Sequence, residues 1–236
     1  MRSSRSAPDP LDPGPAGFAH RGLHDGTGLI ENSLPAFAAA VDRGSGIECD
    51  LRLTADNQII VFHDADAVRL CGSNAIIARL TLAELQGLTL GTGTIPTIGQ
   101  LLALVDSRVP VLLEAKIDGR LLPFGAALRR ELGSYRGRFG VMSFDARLPR
   151  WLRANAPHIR RGLVIAAQLS PLRRWSAMKL ADPDFVAVDR SALGQGWVGR
   201  VRQRLPVYSW TIRTAAERAT AASHADALIW EADGRP

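Results

Sequence analysis

Two cysteines, Cys49 and Cys71, are too few to give 236 residues the disulfide framework of a secreted scaffold, and they read as buried structural thiols in a reducing compartment. The chain also lacks any apolar run near the roughly 18–20 residues needed to cross a bilayer. Its opening, MRSSRSAPDPLDPGPAG, has no apolar core of the kind a secretory signal carries. Prolines at 8, 10, 13 and 15 make residues 1–15 an extended lead-in instead. These absences lead us to expect a soluble, cytoplasmic protein. Charge is nearly balanced: 29 Lys and Arg against 23 Asp and Glu leave +6, which favours an anionic substrate, a nucleic acid or weak contact with an anionic membrane. The basic clusters LRR at 128–130 and 172–174 and HIRR at 158–161 read as solvated faces, with no interleaved aromatics of the kind that bind single strands. There is no internal repeat, so a single domain over residues 1–236 is expected.

What the chain does have is alternation. Short runs rich in Val, Ile and Leu recur at 17–21, 46–53, 110–116, 139–144, 161–166, 184–189, 206–210 and 225–230, separated by helical stretches. Eight strands with intervening helices predict a (β/α)8 barrel, in which polar residues at the C-terminal strand ends form the site. Helix boundaries are legible as well. In NSLPAFAAAVDRG, Ser33 is placed to cap, Pro35 falls in the first turn and Gly44 stops the helix, while Thr97 opens the next. Only EADGRP follows the eighth run, so the last helix should be short or missing.

The stretch GIECDLRLTADNQIIVFHD, residues 46–64, concentrates the chemistry. Strand alternation puts Glu48 and Asp50 on one face and Ile47, Cys49, Leu51 and Leu53 on the other. A hairpin folded about position 55.5, between Ala55 and Asp56 of TADNQ, would set Glu48 opposite His63 and Asp50 opposite Val61. Glu114 on the next run adds a third carboxylate, and three carboxylates at one barrel mouth repel one another until a divalent cation joins them. Hard oxygen donors point to Mg²⁺ or Ca²⁺. His20 and His63, each directly before a charged residue, suit a pair that takes and gives protons. Arg21 and Lys116 suit a phosphate, Trp210 fits barrel core and substrate stacking equally well, and His24 lies in a loop at the same end.

The ordered set AHRG (19–22), ENSLPAF (31–37), ECDLRLTADNQIIVFHD (48–64), IPTIGQLL (95–102), LLEAK (112–116), SFD (143–145) and YSWT (208–211) resembles the glycerophosphodiester phosphodiesterases across most of the chain. The resemblance implies a TIM barrel with a small insertion after its second strand's hairpin, here about 65–95. It implies catalytic histidines at His20 and His63, metal ligands at Glu48, Asp50 and Glu114, and phosphate contacts from Arg21 and Lys116. It further implies a glycerol-pocket aromatic at Trp210, with Glu31 at the edge. Two departures stand out: Glu231 occupies a region where the family commonly has Thr-Asp, and Asn57 replaces a common turn glycine. The implied activity is metal-dependent hydrolysis of a glycerophosphodiester to sn-glycerol 3-phosphate and an alcohol. The alternatives are a lysophospholipase D-like activity and a catalytically silent module that binds phosphodiesters or a lipid surface. Oligomeric state is not legible.

Overall fold

In the computed structural model, which describes residues 9–236, eight parallel strands close into a barrel. The strands are β1 (Phe18–His20), β2 (Gly46–Leu53), β3 (Val111–Ala115) and β4 (Phe139–Ser143), followed by β5 (Arg160–Ile165), β6 (Phe185–Asp189), β7 (Val207–Ile212) and β8 (Ala227–Trp230). Closure is made by β1, where Phe18 pairs with Gly46 of β2 on one side and Ile229 of β8 on the other. Strands buried on both faces need near-continuous apolar sequence, which explains why these runs stand out so clearly. Among the described residues, seven helices of seven or more residues run between them: α1 (Leu34–Asp42), α2 (Ile98–Val105), α3 (Leu121–Leu132), α4 (Arg147–Asn155), α5 (Pro171–Ala181), α6 (Gly196–Arg202) and α7 (Ala215–Ala222). Among the described residues no helix is long and apolar enough to cross a membrane.

The expected caps form. Ser33 Oγ accepts from the Ala36 N–H at 3.3 Å, Pro35 sits in the first turn of α1, and Gly44 beyond the helix has φ 74°. Thr97 and Gln100 make a reciprocal capping box on α2. Outward-facing Ile47, Cys49 and Leu51 of β2 pack in one layer with Phe37 of α1 and Leu101 of α2. Cys49 is buried there as expected, whereas Cys71 is only half-buried, at the end of a helical turn outside the barrel.

Inside, Phe18, Phe185 and Tyr208 stack at the barrel base, with ring centroids 5.7 Å and 5.1 Å apart around Tyr208. Gly162 makes room for Phe185 and Gly140 for Leu11, because a Cβ on the first would collide with the Phe185 ring and on the second with the Leu11 side chain. The floor is finished from the N-terminal lead-in. Leu11 is buried in this cluster, and Asp9 accepts from Arg160 Nη2 at 2.8 Å and from the Tyr208 hydroxyl. Residues 1–8 of the expected lead-in lie outside the described residues.

No α-helix follows β8 among the described residues, only a turn at Ala232–Gly234. Trp230 fills the outer face at that point, and its indole N–H donates to the Ala16 carbonyl at 2.8 Å. Arg43 and Arg218 hold the carbonyls of Pro236 and Arg235.

The hairpin register differs from the expected one. Leu51 pairs with Val61, Arg52 with Ile60 and Leu53 with Ile59, one residue away from the expected pairing, so neither Glu48–His63 nor Asp50–Val61 are cross-strand neighbours. The physical reason is a three-residue loop, Ala55–Asn57, which centres the hairpin on Asp56 and not on position 55.5. The Asn57 N–H closes on the Thr54 carbonyl at 3.1 Å, Thr54 N–H on Gln58 at 3.0 Å, and Asn57 takes φ 59°. A type I turn followed by a left-handed residue is the usual three-residue hairpin, and Asn tolerates that conformation without glycine. Beyond the return strand Ile59–Val61, the chain forms two four-residue helical turns (Val68–Cys71 and Leu82–Leu85) and a small hairpin around its own cluster of Phe62, Ile77, Leu85 and Ile95.

Candidate active site

Strand alternation delivers the carboxylates as expected. Glu48 and Asp50 point inward from β2, each only 1% exposed, and Glu114 points inward from β3, in register with Asp50. One oxygen of each of the three lies within 4.8 Å of the others. Two cations reach them. Lys116 Nζ sits 2.9 Å from Asp50 Oδ1 and also contacts Glu114, while Arg21 Nε lies 3.2 Å from Asp50 Oδ2. Lys116 therefore points inward.

The electrostatics follow from burial and count. Burial together with the charges of Asp50 and Glu114 pushes the Glu48 carboxyl well above its usual range. Burial also raises Glu114, partly offset by Lys116. Burial works against the charged form of Asp50 as well, but Lys116 and Arg21 overcome it and hold Asp50 below the ordinary carboxylate range. Three carboxylates thus face two cations, and the shortfall of positive charge raises Glu48 and Glu114 while Asp50, nearest both cations, is lowered. An oxygen-only donor set short of cation fits Mg²⁺ or Ca²⁺ and offers nothing to a thiolate-loving metal, since Cys49 faces the other way.

The first strand ends in a sharp turn. Arg21 takes φ 56° and Gly22 φ 83°, and this turns the Arg21 backbone N–H toward Glu48 Oε2 at 3.2 Å. A non-glycine residue held at positive φ costs energy that surrounding contacts must offset, and such residues concentrate at functional sites. Asn32, also at φ 57°, donates through Nδ2 to Asp50 Oδ2 at 3.0 Å. Glu31 accepts from Arg21 Nη1 at 2.7 Å.

Each histidine has its own carboxylate. His20 Nδ1 lies 2.6 Å from Glu231 Oε2, with Nε2 4.0 Å from Glu48. Glu231 is also held by Arg213 Nε at 2.6 Å and approached by His24 Nε2 at 3.8 Å. His63 Nδ1 lies 2.7 Å from Asp64. Arg69, from the insertion, clamps Asp64 and Glu31 together at 2.7 Å each, and its hydrogen bonds hold Asp64 at about 2. Burial lowers both histidines from their usual value, against the opposing pull of Glu231 on His20 and of Asp50 and Asp64 on His63. Arg52 fixes the His63 backbone, donating from Nε to its carbonyl at 2.7 Å and pairing with Asp118 at 2.5 Å.

Trp210, at half-burial on β7, donates to the Ala187 carbonyl at 3.1 Å and meets Phe144 edge-on at 5.6 Å. The Lys116 ammonium lies 5.9 Å from the Phe144 ring, so the aromatic pair forms a wall beside the charged groups. The structure thus gathers His20, Arg21, Glu31, Glu48, Asp50, Glu114 and Lys116 directly, His63 through Asp64 and the Arg69 clamp, and Trp210 through Phe144. Sequence reasoning missed Asn32, Arg52, Asp64, Arg69 and Phe144. Asn32 and Asp64 had a signal, being next to Glu31 and His63, but Arg69 had none.

Comparisons with known proteins bear on the family and the fold. The model of the glycerophosphoryl diester phosphodiesterase family matches residues 20–234. YhdW of Bacillus subtilis is 28% identical over 222 residues, covering 85% of this chain and 88% of its own. The glycerophosphodiester phosphodiesterase of Caldanaerobacter subterraneus is 30% identical over 160 residues, 62% of this chain and 65% of its own. Among solved structures, an Oleispira antarctica phosphodiesterase in complex with the product sn-glycerol 3-phosphate superimposes with a TM-score of 0.82 at 21% identity, covering 92% of each chain. The Thermotoga maritima glycerophosphodiester phosphodiesterase gives 0.75 at 24% identity, covering 90% of this chain and 92% of its own. The barrel closed by β1, the charged residues at its mouth and a family match over residues 20–234 lead to one assignment: this chain belongs to the glycerophosphoryl diester phosphodiesterase family of phosphoric diester hydrolases.

Proposed function

We propose that the chain hydrolyses glycerophosphodiesters to sn-glycerol 3-phosphate and an alcohol by general acid–base catalysis with His20 and His63. The observation that carries this reading is that each histidine is held by a separate carboxylate beside three buried acids and two cations. Glu48, Asp50 and Glu114 would hold a divalent cation, whose charge would relieve their repulsion and stabilise the phosphoryl oxygens. Arg21 and Lys116 face the phosphate, and Glu31 keeps Arg21 in place. Trp210, with Phe144, offers an apolar wall for the glycerol carbons. The substrate's own 2-hydroxyl attacks phosphorus, one histidine takes its proton and the other protonates the departing alcohol. Water then opens the cyclic phosphate by the reverse proton path. Burial keeps both imidazoles neutral enough to accept a proton near neutral pH, while Glu231 and Asp64 stabilise the protonated form once it arises.

Phosphorus NMR of the purified protein with a panel of glycerophosphodiesters and lysophospholipids, each with Mg²⁺, Ca²⁺ or EDTA, tests this. Glycerol 3-phosphate should appear only with a divalent cation, and His20→Ala and His63→Ala should each lose about 10²–10⁴-fold in rate. Release of lysophosphatidic acid in place of glycerol 3-phosphate would move the substrate to lysolipids. No turnover with any cation from folded protein would make this a binding module, and full activity in both histidine variants would overturn the acid–base assignment.

A further inference from the structure

Helix α5 is poorly covered for its composition. Of its eleven residues only Ala181 is buried, whereas α3 buries five of twelve. Leu172 and Trp175 are left 72% and 61% exposed. Trp175 lines a groove of about 490 Å³ between α5 and α6, outside the barrel, with Trp197 and the cations Arg174, Lys179, Arg200 and Arg204, and Leu172 follows Pro171 of the same lining. Neither 166–181 nor 190–205 contains an Asp or Glu. Among the described residues, no carboxylate pairs with Arg173, Arg174, Lys179, Arg200 or Arg204, while nearby Arg190 and Arg202 are engaged by Glu217 and Asp226. Arg174 lies 4.1 Å over the Trp197 ring, and burial together with the neighbouring charge of Arg200 lowers its hold on its proton. The pair Arg173–Arg174, which reads from sequence as a solvated face, is thus part of an uncompensated basic surface around exposed apolar side chains.

Three partners could meet such a face. A second copy on the same patch would set five cations against five, so self-association is disfavoured. A nucleic acid would match the charge, but Leu172 offers it nothing and Arg174 already covers the Trp197 ring. An anionic bilayer matches both features, taking Leu and Trp into the boundary between headgroups and acyl chains and setting Arg and Lys against lipid phosphates. Position agrees as well. Barrel helices start at the end of the barrel that carries the site, so Leu172 and Trp175, in the first two turns of α5, and Trp197, at the start of α6, lie on the rim beside the mouth.

We propose that the α5–α6 face docks the protein on an anionic phospholipid surface, with Leu172 and Trp175 inserted and Arg173, Arg174, Lys179, Arg200 and Arg204 facing the headgroups.

Flotation of the full chain with phosphatidylglycerol–phosphatidylcholine vesicles and with pure phosphatidylcholine vesicles tests this without reference to turnover. Binding should require phosphatidylglycerol and disappear near about 1 M salt, where the Debye length is about 3 Å. Removing the three charges in Arg173→Gln/Arg174→Gln/Arg200→Gln should weaken binding about fivefold per cation. Leu172→Ser/Trp175→Ser should abolish the fluorescence blue shift on vesicles. Removing the same number of charges elsewhere, in Arg129→Gln/Arg136→Gln/Arg150→Gln, should leave binding unchanged, and matching melting midpoints establish that all variants fold. Equal binding to neutral vesicles, equal loss in the two triple variants, no binding at all, or preference for an oligothymidylate over vesicles would each overturn the proposal.

Discussion

His20 and His63 are oriented by different means. His63 takes Asp64 from the next position in the chain, but His20 takes Glu231 from 211 residues away. Losing the Glu231 carboxylate leaves the His20 ring without its anchor, and loss of orientation in a reacting group can cost about 10²-fold in kcat. We therefore expect Glu231→Gln to lower kcat by roughly that factor with little change in KM. The sign of the accompanying pH effect is fixed. The bond to Glu231 raises the His20 pKa against burial, so removing it should lower that pKa further, and imidazole titration by NMR should show the proton leaving at lower pH than in the parent. An unchanged rate and titration would mean that Glu231 is a bystander. Arg52 acts on the other histidine through its backbone. Arg52→Met leaves the His63 carbonyl without its donor, which should cost about 1–3 kcal/mol of stability, read as a lower denaturation midpoint, and also lower kcat.

Elements are tied together by contacts made far from the charged groups. Leu11 plugs the barrel base from outside the strand sequence, so Leu11→Ala should open a cavity costing about 2–5 kcal/mol, or roughly 2–4 °C of melting midpoint for each kcal/mol. An unshifted midpoint would mean that the floor is closed without it. The strands and the caps at Ser33 and Thr97 were legible because burial on both faces and capping each demand a local pattern. The hairpin register was not, because the choice between a two- and a three-residue loop rests on one left-handed residue, Asn57, which either turn can accept. The inward position of Glu48, Asp50 and Glu114 followed from alternation alone. The partners Glu231, Arg69 and Arg52 did not, because each meets its histidine or carboxylate only through tertiary packing.

At the scale of the whole molecule, charge is excessive outside and deficient inside. The chain carries +6 overall, while burial and mutual repulsion raise Glu48 and Glu114 above the ordinary carboxylate range for lack of positive charge beside them. Carboxyls raised above their ordinary 4.5 bind more protons folded than unfolded, so in cation-free protein they weaken stability as pH rises above that value. A divalent cation must displace those protons. Its affinity should therefore strengthen as pH rises above 4.5, with protons released to the buffer, as calorimetry in buffers of differing ionisation enthalpy would show. Affinity independent of pH would remove the cation from these carboxylates. Closure of the ring by β1 against β8 has a consequence in time. During synthesis the first strand leaves the ribosome with β2 as its only sheet partner, and its other edge stays unpaired until Ala227–Trp230 has emerged. The nascent barrel is thus an open sheet with two exposed edges until that strand arrives, and the interval before the seam joins is when it is most prone to pair with the wrong chain.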